Sequence, residues 1–349
     1  MEKAVQVCVK STKTWKKNTE TQTVISSLEV KSVDTQCGGE KHDSYNREEK
    51  LKHWTYDLLR DEVLRSKEEI IRWCMDEGLI AKSRLCCHCD LPMKLVKCED
   101  RSDKYKWECR KSVNGKRHKV EISIRKGSWF EKSNMTLEEV LKFTYWWCRD
   151  VRQEEIRHEL NIAAHTAVDW DSFCRETCEV TLMEREHPIG GPGKIVQIDE
   201  SKFGKRKYHR GHRVEGQWVF GGIEEESRRS FMVAVEKRDE STLLPIIERH
   251  IAKGSIIVSD CWKAYINLEK HGYEHRLVNH SKEFVNKDGD HTNKIEGHWR
   301  QAKCKMPSFG VRKIAFSSYL AEFLWRYEHK GKDLFSTFLW DVKKIYCEF

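Results

Sequence analysis

Apolar positions change their period more than once along this 349-residue chain, and the changes divide it. Over residues 1–45 no periodicity lasts, and Lys, Thr, Ser and Val dominate, which predicts a flexible tail of low structural content. Residues 46–80 turn helical. Ser66 followed by Glu69 has the form of a capping box opening a helix through Ile70, Ile71, Trp73 and Cys74, and Gly78 is its stop. Residues 81–130 are short and strand-like, with Tyr105 and Trp107 near Cys109. Residues 131–189 are helical again. Asn134-Met135-Thr136 with Glu139 starts a helix carrying Leu137, Val140, Leu141, Tyr145 and Cys148; helical patterns over 153–160 and 166–183 follow, joined by a short turn at 161–165. Gly190-Gly191-Pro192-Gly193 breaks the pattern and marks a domain boundary.

Beyond the break the period becomes that of buried strands. Ile195-Val196-Gln197-Ile198-Asp199 predicts one, and residues 218–223 and 231–235 predict two more with a turn at 224–230. A helix over 241–251, a strand over 255–259, helical signals over 264–268 and a helix over 293–305 complete the series. Three strands followed by alternating helix and strand imply an α/β fold class with a mixed sheet over residues 190–330, with a helical tail over 331–349.

Charge sharpens this division. The net charge is +8, but residues 82–126 hold fourteen Lys/Arg against six Asp/Glu, whereas residues 131–187 hold seven against thirteen. Two basic surfaces separated by an acidic helical module suit a chain that grips DNA phosphates at two places. Thirteen Trp, thirteen Phe and ten Tyr exclude wholesale disorder, and no apolar run reaches the length of a membrane span. The fourteen Cys are scattered except at Cys86, Cys87 and Cys89. With no apolar signal segment near Met1, that implies a reducing compartment and a metal site at the cluster.

Cys86-x-x-Cys89 supplies half of a tetrahedral zinc site, two thiolates on a tight turn. Cys109 is placed for a third ligand and His118 for a fourth, with Cys87, His88 and Cys98 as possible substitutes. The helical patterns over 153–160 and 166–183 have the form of a helix-turn-helix, with Ala167, Trp170, Cys174 and Cys178 on one apolar face. The second helix carries Asp169, Asp171, Glu176 and Glu179 against Arg175 alone, so packing or dimerisation competes with groove reading.

The α/β region holds the richest constellation. Asp199 and Asp260 each end an apolar strand, where a carboxylate is expensive unless paired, hydrogen-bonded or metal-bound. On the helix from Asn293, positions Ile295, Trp299 and Ala302 would face the core while Glu296, Arg300 and Lys303 line the adjacent stripe. Three acids from two strands and a helix can hold two divalent ions about 4 Å apart, the geometry of phosphodiester displacement. Taken singly, the aspartates could equally be turn or cap residues, and Glu296 the third-position partner of an Asn293 cap. Residues 202–213 add Lys202, Lys205, Arg206, Lys207, Arg210 and Arg213, and residues 297–313 five more Lys/Arg including Arg300 and Lys303; neither stretch contains a carboxylate.

The blocks Gln197-Ile198-Asp199-Glu200-Ser201-Lys202-Phe203, Lys205-Arg206-Lys207-Tyr208, Trp218-Val219-Phe220-Gly221-Gly222, Ser259-Asp260-Cys261-Trp262 and His291-Thr292-Asn293-Lys294-Ile295-Glu296 resemble, in order, the catalytic domain of Merlin-type DNA transposases, a group related to bacterial insertion-sequence transposases. The resemblance covers about residues 190–330, and Ile124-Arg125-Lys126-Gly127-Ser128-Trp129-Phe130 with the preceding ribbon is also similar to the group. It implies an RNase H-like catalytic domain whose DDE acids map to Asp199, Asp260 and Glu296, preceded by a zinc-ribbon-like unit and a helix-turn-helix-like module. It further implies two Mg²⁺ or Mn²⁺ ions at the acids and structural Zn²⁺ at Cys86, Cys89, Cys109 and His118. The sequence departs from the group at His118, which stands where a second CxxC would complete the ribbon.

The expected activity is cut-and-paste transposition: cleavage at transposon ends, then attack of the freed 3′-OH on target DNA. The partners are terminal inverted repeats and target DNA, the assembly a dimer or larger homo-oligomer, and the location the nucleus, for which Lys205-Arg206-Lys207 is a weak address. The rival readings are a host-recruited DNA-binding protein without strand transfer and a structure-specific nuclease that cuts without joining.

Overall fold

A computed structural model describes residues 53–113, 115–184, 187–204, 216–260, 262–278, 291–307 and 315–347. The tail expected over 1–45 lies outside the described residues, as do Lys205, Arg206, Lys207, Arg210 and Arg213.

The chain opens with α1 (Tyr56–Glu62) and α2 (Lys67–Asp76). The Ser66 side chain accepts a hydrogen bond from the Glu69 N–H, as the capping signal predicts. The basic unit that follows is built of β1 (Lys94–Lys97), β2 (Tyr105–Cys109) and β5 (Val120–Ser123) in an antiparallel sheet with β2 central. Between β2 and β5 lies a separate two-stranded ladder, β3 (Ser112–Val113) with β4 (Lys116–Arg117). The Asp103 carboxylate receives two 2.5 Å hydrogen bonds from the buried Arg125 guanidinium. Arg125 also donates to the carbonyls of Ser133 and Met135. This fixes the unit against the start of α3 (Leu137–Cys148), whose own N-terminus carries a complete capping box between Thr136 and Glu139.

Helices α4 (Gln153–Leu160) and α5 (Ala164–Met183) follow, turned at Asn161 in the left-handed region with φ 49°. Much of α5 is packed rather than presented, with Trp170, Cys174 and Cys178 buried. Its one basic residue is consumed inside. Arg175 lies 4.2 Å over the Tyr319 ring and hydrogen-bonds Asp171 and Ser318. The exposed positions in its first half are Ala164, His165, Val168, Asp169 and Ser172, with no Lys or Arg among them, so the packing role has the stronger physical support.

After a short parallel pair, β6 (Ile189–Gly190) with β10 (Ile251–Ala252), the main sheet begins. Strands β7 (Ile195–Phe203), β8 (Gln217–Glu224) and β9 (Ser230–Val235) form an antiparallel meander, and α6 (Glu240–His250) crosses to β11 (Ile256–Ser259). Strand β11 joins β7 in parallel and β12 (Glu274–Leu277) joins β11, giving the order β12-β11-β7-β8-β9. A three-strand meander extended by two parallel strands on its first member is a mixed sheet with α6 on one face and α7 and α8 on the other, the α/β class expected from the sequence.

One face of this sheet buries Val196, Ile198 and Phe220 against Leu243 and Ile247 of α6 and against Tyr265. The other buries Phe203, Val219 and Ile223 against α7 (Asn293–Lys305) and α8 (Phe316–Glu328). The last helix, α9 (Leu334–Tyr346), does not trail off. Phe335, Phe338 and Val342 share a core with residues of α1–α5 and with Trp107 and Cys109 of the ribbon unit. No helix among the described residues is long and apolar enough to cross a membrane.

Candidate functional site

Two clusters of potential ligands stand out. The first lies in the ribbon unit. Its turn is closed by the Asp90 N–H donating to the Cys86 carbonyl at 2.8 Å and the Cys86 N–H donating to the Leu91 carbonyl at 3.0 Å. This brings Cys86 and Cys89 to one end of β2, where Cys109 ends the strand. The His118 N–H bonds the Lys111 carbonyl and returns the imidazole to the same place. Sγ of Cys89 is 3.7 Å from Sγ of Cys109; Nε2 of His118 is 3.3 Å from Cys109 Sγ and 3.4 Å from Cys86 Sγ. All four ligand atoms lie within 4.8 Å of one another. The edges of a tetrahedron with Zn–S near 2.3 Å and Zn–N near 2.05 Å are about 3.8 and 3.5 Å, so this donor set fits a four-coordinate metal ion. Cys87 and His88 are exposed, and Cys98 is not in the group.

The second cluster is built by alternation along β7. Gln197, Asp199, Ser201 and Phe203 face α7, and each meets it. The buried Gln197 amide oxygen accepts from the N–H groups of Lys294 and Ile295 at 3.1 Å each, satisfying two donors of the helix N-terminus. The Trp299 indole donates to Asp199 Oδ2 at 3.0 Å, and Lys303 Nζ donates to Ser201 Oγ at 2.6 Å. Phe203 packs edge-on to Trp299 with centroids 6.0 Å apart. Strand and helix are thereby held in one register. The Trp299 ring fits because Gly221 is the partner of Asp199 on β8: a Cβ there would come within 2.7 Å of the ring.

Asp260 follows β11, whose pairing of Val258 with Gln197 brings it level with Asp199. Its Oδ1 accepts from the Trp262 N–H at 3.0 Å. Glu296 stands on the first turn of α7, exposed, with Arg300 and Lys303 on the same exposed stripe and Ile295, Trp299 and Ala302 buried beside it. Burial pushes the Asp199 carboxyl up to about 6, and the charges of Asp260 and Glu296 add to that, against hydrogen bonds from the Glu200 backbone and Trp299. Asp199 lies in the middle of the central strand β7, which runs on to Phe203, rather than at a strand end as the sequence pattern suggested. Asp260 follows the neighbouring β11 and Glu296 stands in the first turn of α7; among the described residues only the Cys86/Cys89/Cys109/His118 group has its ligand atoms at coordination spacing.

A fourth carboxylate was not singled out from the sequence. Glu200 points to the opposite face of β7, where the Tyr265 hydroxyl donates to its Oε1 at 2.5 Å. Burial pushes Glu200 up to about 7, with Asp199 and Asp260 adding to the shift. Its position next to Asp199 was the available signal; its partner, 65 residues away, had none.

Comparison with known proteins bears on this region. Residues 186–328 match the ISXO2-like transposase domain. An uncharacterised transposase-like protein of Haemophilus influenzae is 32% identical over 100 residues, spanning 28% of this chain and 80% of that protein. Among solved structures, the catalytic core domain of BIV integrase aligns over 40% of this chain and 84% of its own at 14% identity and a TM-score of 0.28. The Mos1 strand transfer complex aligns over 63% and 82% at 12% identity and a TM-score of 0.25. With most of the Haemophilus relative's length matched at that identity, and the matched domain enclosing Asp199, Asp260 and Glu296, the chain belongs to the ISXO2-like transposase family.

Proposed function

We propose that this protein is a cut-and-paste DNA transposase of the Merlin type, with Asp199, Asp260 and Glu296 as the ligands of two Mg²⁺ or Mn²⁺ ions. The observation that supports the reading is that the buried Asp199 carboxyl on β7 is raised by burial and further by the charges of Asp260, after β11, and Glu296, on α7. Divalent ions bound there supply Lewis-acid stabilisation of the phosphorane-like transition state and a nucleophile of lowered pKa. Asp199, on the central strand with Asp260 after the neighbouring β11 and Glu296 on the helix packed over β7, would be the acid shared by the ions. Trp299 fixes the rotation of its carboxylate, and Gln197 fixes the helix that presents Glu296. Arg300 and Lys303, exposed on the stripe that begins at Glu296, would neutralise backbone phosphates on either side of the scissile bond. Lys202, on the opposite face of β7, belongs to a second basic approach to the same acids. Lys205, Arg206, Lys207, Arg210 and Arg213 extend that charge in sequence.

In this reading Cys86, Cys89, Cys109 and His118 hold a structural zinc ion, which keeps the basic ribbon unit in shape to contact DNA beside the catalytic domain. Two ends must meet for joining, so the working form is a dimer or larger assembly, and its place is the nucleus. The test is a labelled DNA end incubated with the purified full chain, Mg²⁺ and a target plasmid. Cleavage followed by joining, both lost in Asp260→Ala, supports the transposase. Cleavage without joining indicates a nuclease, and binding without cleavage a recruited DNA-binding protein.

A further inference from the structure

Half of the twelve tryptophans of the described residues, Trp54, Trp107, Trp147, Trp170, Trp299 and Trp325, are at most 6% exposed, and only Trp262 and Trp340 among the described residues reach 40%. Trp262 is 40% exposed, two residues after Asp260, and yet it is held firmly. Its indole N–H donates to the Arg238 carbonyl at 3.0 Å, and its backbone N–H donates to Asp260 Oδ1 at 3.0 Å. The Arg238 guanidinium lies 4.9 Å from the Trp262 ring centroid and 3.8 Å from that of Trp218. Lys202 Nζ is 5.6 Å from the Trp218 ring. Residues following β9 and β11 and the start of β8 therefore converge on an ordered cation–π stack with one indole left open to solvent. None of the proposed metal-holding or phosphate-neutralising work on the α7 face uses it.

We propose that Trp262, backed by Arg238 and Trp218, is a stacking platform for an unpaired nucleobase of the DNA strand whose phosphodiester lies at Asp199 and Asp260. The proposal rests on DNA being the substrate, and it names the form that DNA takes at the site. A paired base is covered on both faces by its neighbours, so an indole face can take only a base that has left the stack. An aromatic ring accepts any of the four bases, and adjacent cations hold the backbone that delivers it. Two residues of chain separate the platform from Asp260, at most about 7 Å of backbone. A base on Trp262 is thus anchored next to the bond to be cut. The indole is already held by its hydrogen bond to the Arg238 carbonyl and by the Arg238 guanidinium over its ring, so little side-chain freedom is lost on binding.

The test uses the full chain in Ca²⁺, which permits binding without turnover, and two duplexes. One is blunt, and the other carries a single-stranded overhang containing 2-aminopurine. The wild-type protein should quench the 2-aminopurine. Trp262→Ala should lose the quenching and bind the overhang about 5- to 150-fold more weakly, with blunt-duplex affinity retained. Trp262→Phe should keep both signals. Unchanged quenching in Trp262→Ala overturns the proposal; equal losses on both duplexes with a lowered melting temperature also overturn it, by making the stack a structural brace. Glu296→Gln, measured alongside, should abolish cleavage in Mg²⁺ and keep the quenching. If the wild type quenches but never cleaves, the platform stands and the transposase reading fails. If cleavage and joining proceed equally in Trp262→Ala, that reading stands and the platform fails.

Discussion

The two ligand clusters differ in how they are put together. The Cys86/Cys89/Cys109/His118 group is assembled within 33 consecutive residues, by one turn and one small sheet, and its donor atoms already sit at coordination spacing. The Asp199/Asp260/Glu296 group draws on residues up to 97 positions apart, and its members are held by second residues: Gln197, Trp299 and the Trp262 amide. The difference teaches what each ion is for. A closed thiolate–imidazole site contributes to folding, since its ligands repel or hydrogen-bond poorly without metal. In the proposed reading the acids would expose bound ions to substrate, with precision supplied by the sheet and helix that carry them.

The largest contrast should come from deleting one ligand of each kind. Cys89→Ser should lose the bound zinc and unfold the ribbon unit, because Cys109 and Met93 share the core with α3 and α9. Zinc content near zero with a broadened or absent thermal transition is the expected readout, and unchanged zinc stoichiometry would reject the ligand set. Asp260→Ala should leave the melting curve nearly unchanged while lowering DNA cleavage by about 10³-fold or more. A smaller effect is expected at the supports. Gln197→Ala removes the acceptor for two helix N-terminal N–H groups, a loss of about 1–3 kcal/mol, and lets α7 shift. Cleavage should fall about tenfold, chiefly in kcat, with zinc content intact.

The smallest effect is on pH. Asp199 and Glu200 hold their protons up to about 6 and about 7, above the ordinary 3.8 and 4.5. Between about pH 4 and pH 7 the folded chain therefore binds more protons than the unfolded chain, so stability falls as pH rises. Zinc-loaded protein without added Mg²⁺ should lose about 5 °C of melting temperature between pH 5 and pH 8. Millimolar Mg²⁺ should return much of it, and Asp199→Asn should flatten the pH dependence.

How much of this was legible in the sequence follows from the range of the interactions. The α7 helix was plain because Ile295, Trp299 and Ala302 repeat at helical spacing, and its bounds match the pattern. The Ser66 cap and the Thr136 capping box were local and equally readable. Strand β12 escaped because Glu274, His275, Arg276 and Leu277 form an edge strand with little apolar content to bury. Helix α8 had no local start signal: Ala315 caps it without a side-chain bond. The use of Gln197 as a cap for α7 depends on a partner nearly a hundred residues away, although its place two residues before Asp199 put it on the same face. Gly221 and Gly222, adjacent within a strand, were a readable sign of close approach; only the fold reveals Trp299 as what approaches Gly221.

The central claim is that the carboxylates act through a metal ion, and a change of ligand softness tests it most directly. Asp260→Cys replaces a hard oxygen donor by a thiolate, which binds Mg²⁺ poorly and Mn²⁺ better. Cleavage of a labelled DNA end by this variant should be lost in Mg²⁺ and recovered in Mn²⁺, while Asp260→Ala stays inactive in both. Full cleavage by Asp260→Cys in Mg²⁺ would contradict the claim, since Asp260 would then hold no ion during the reaction.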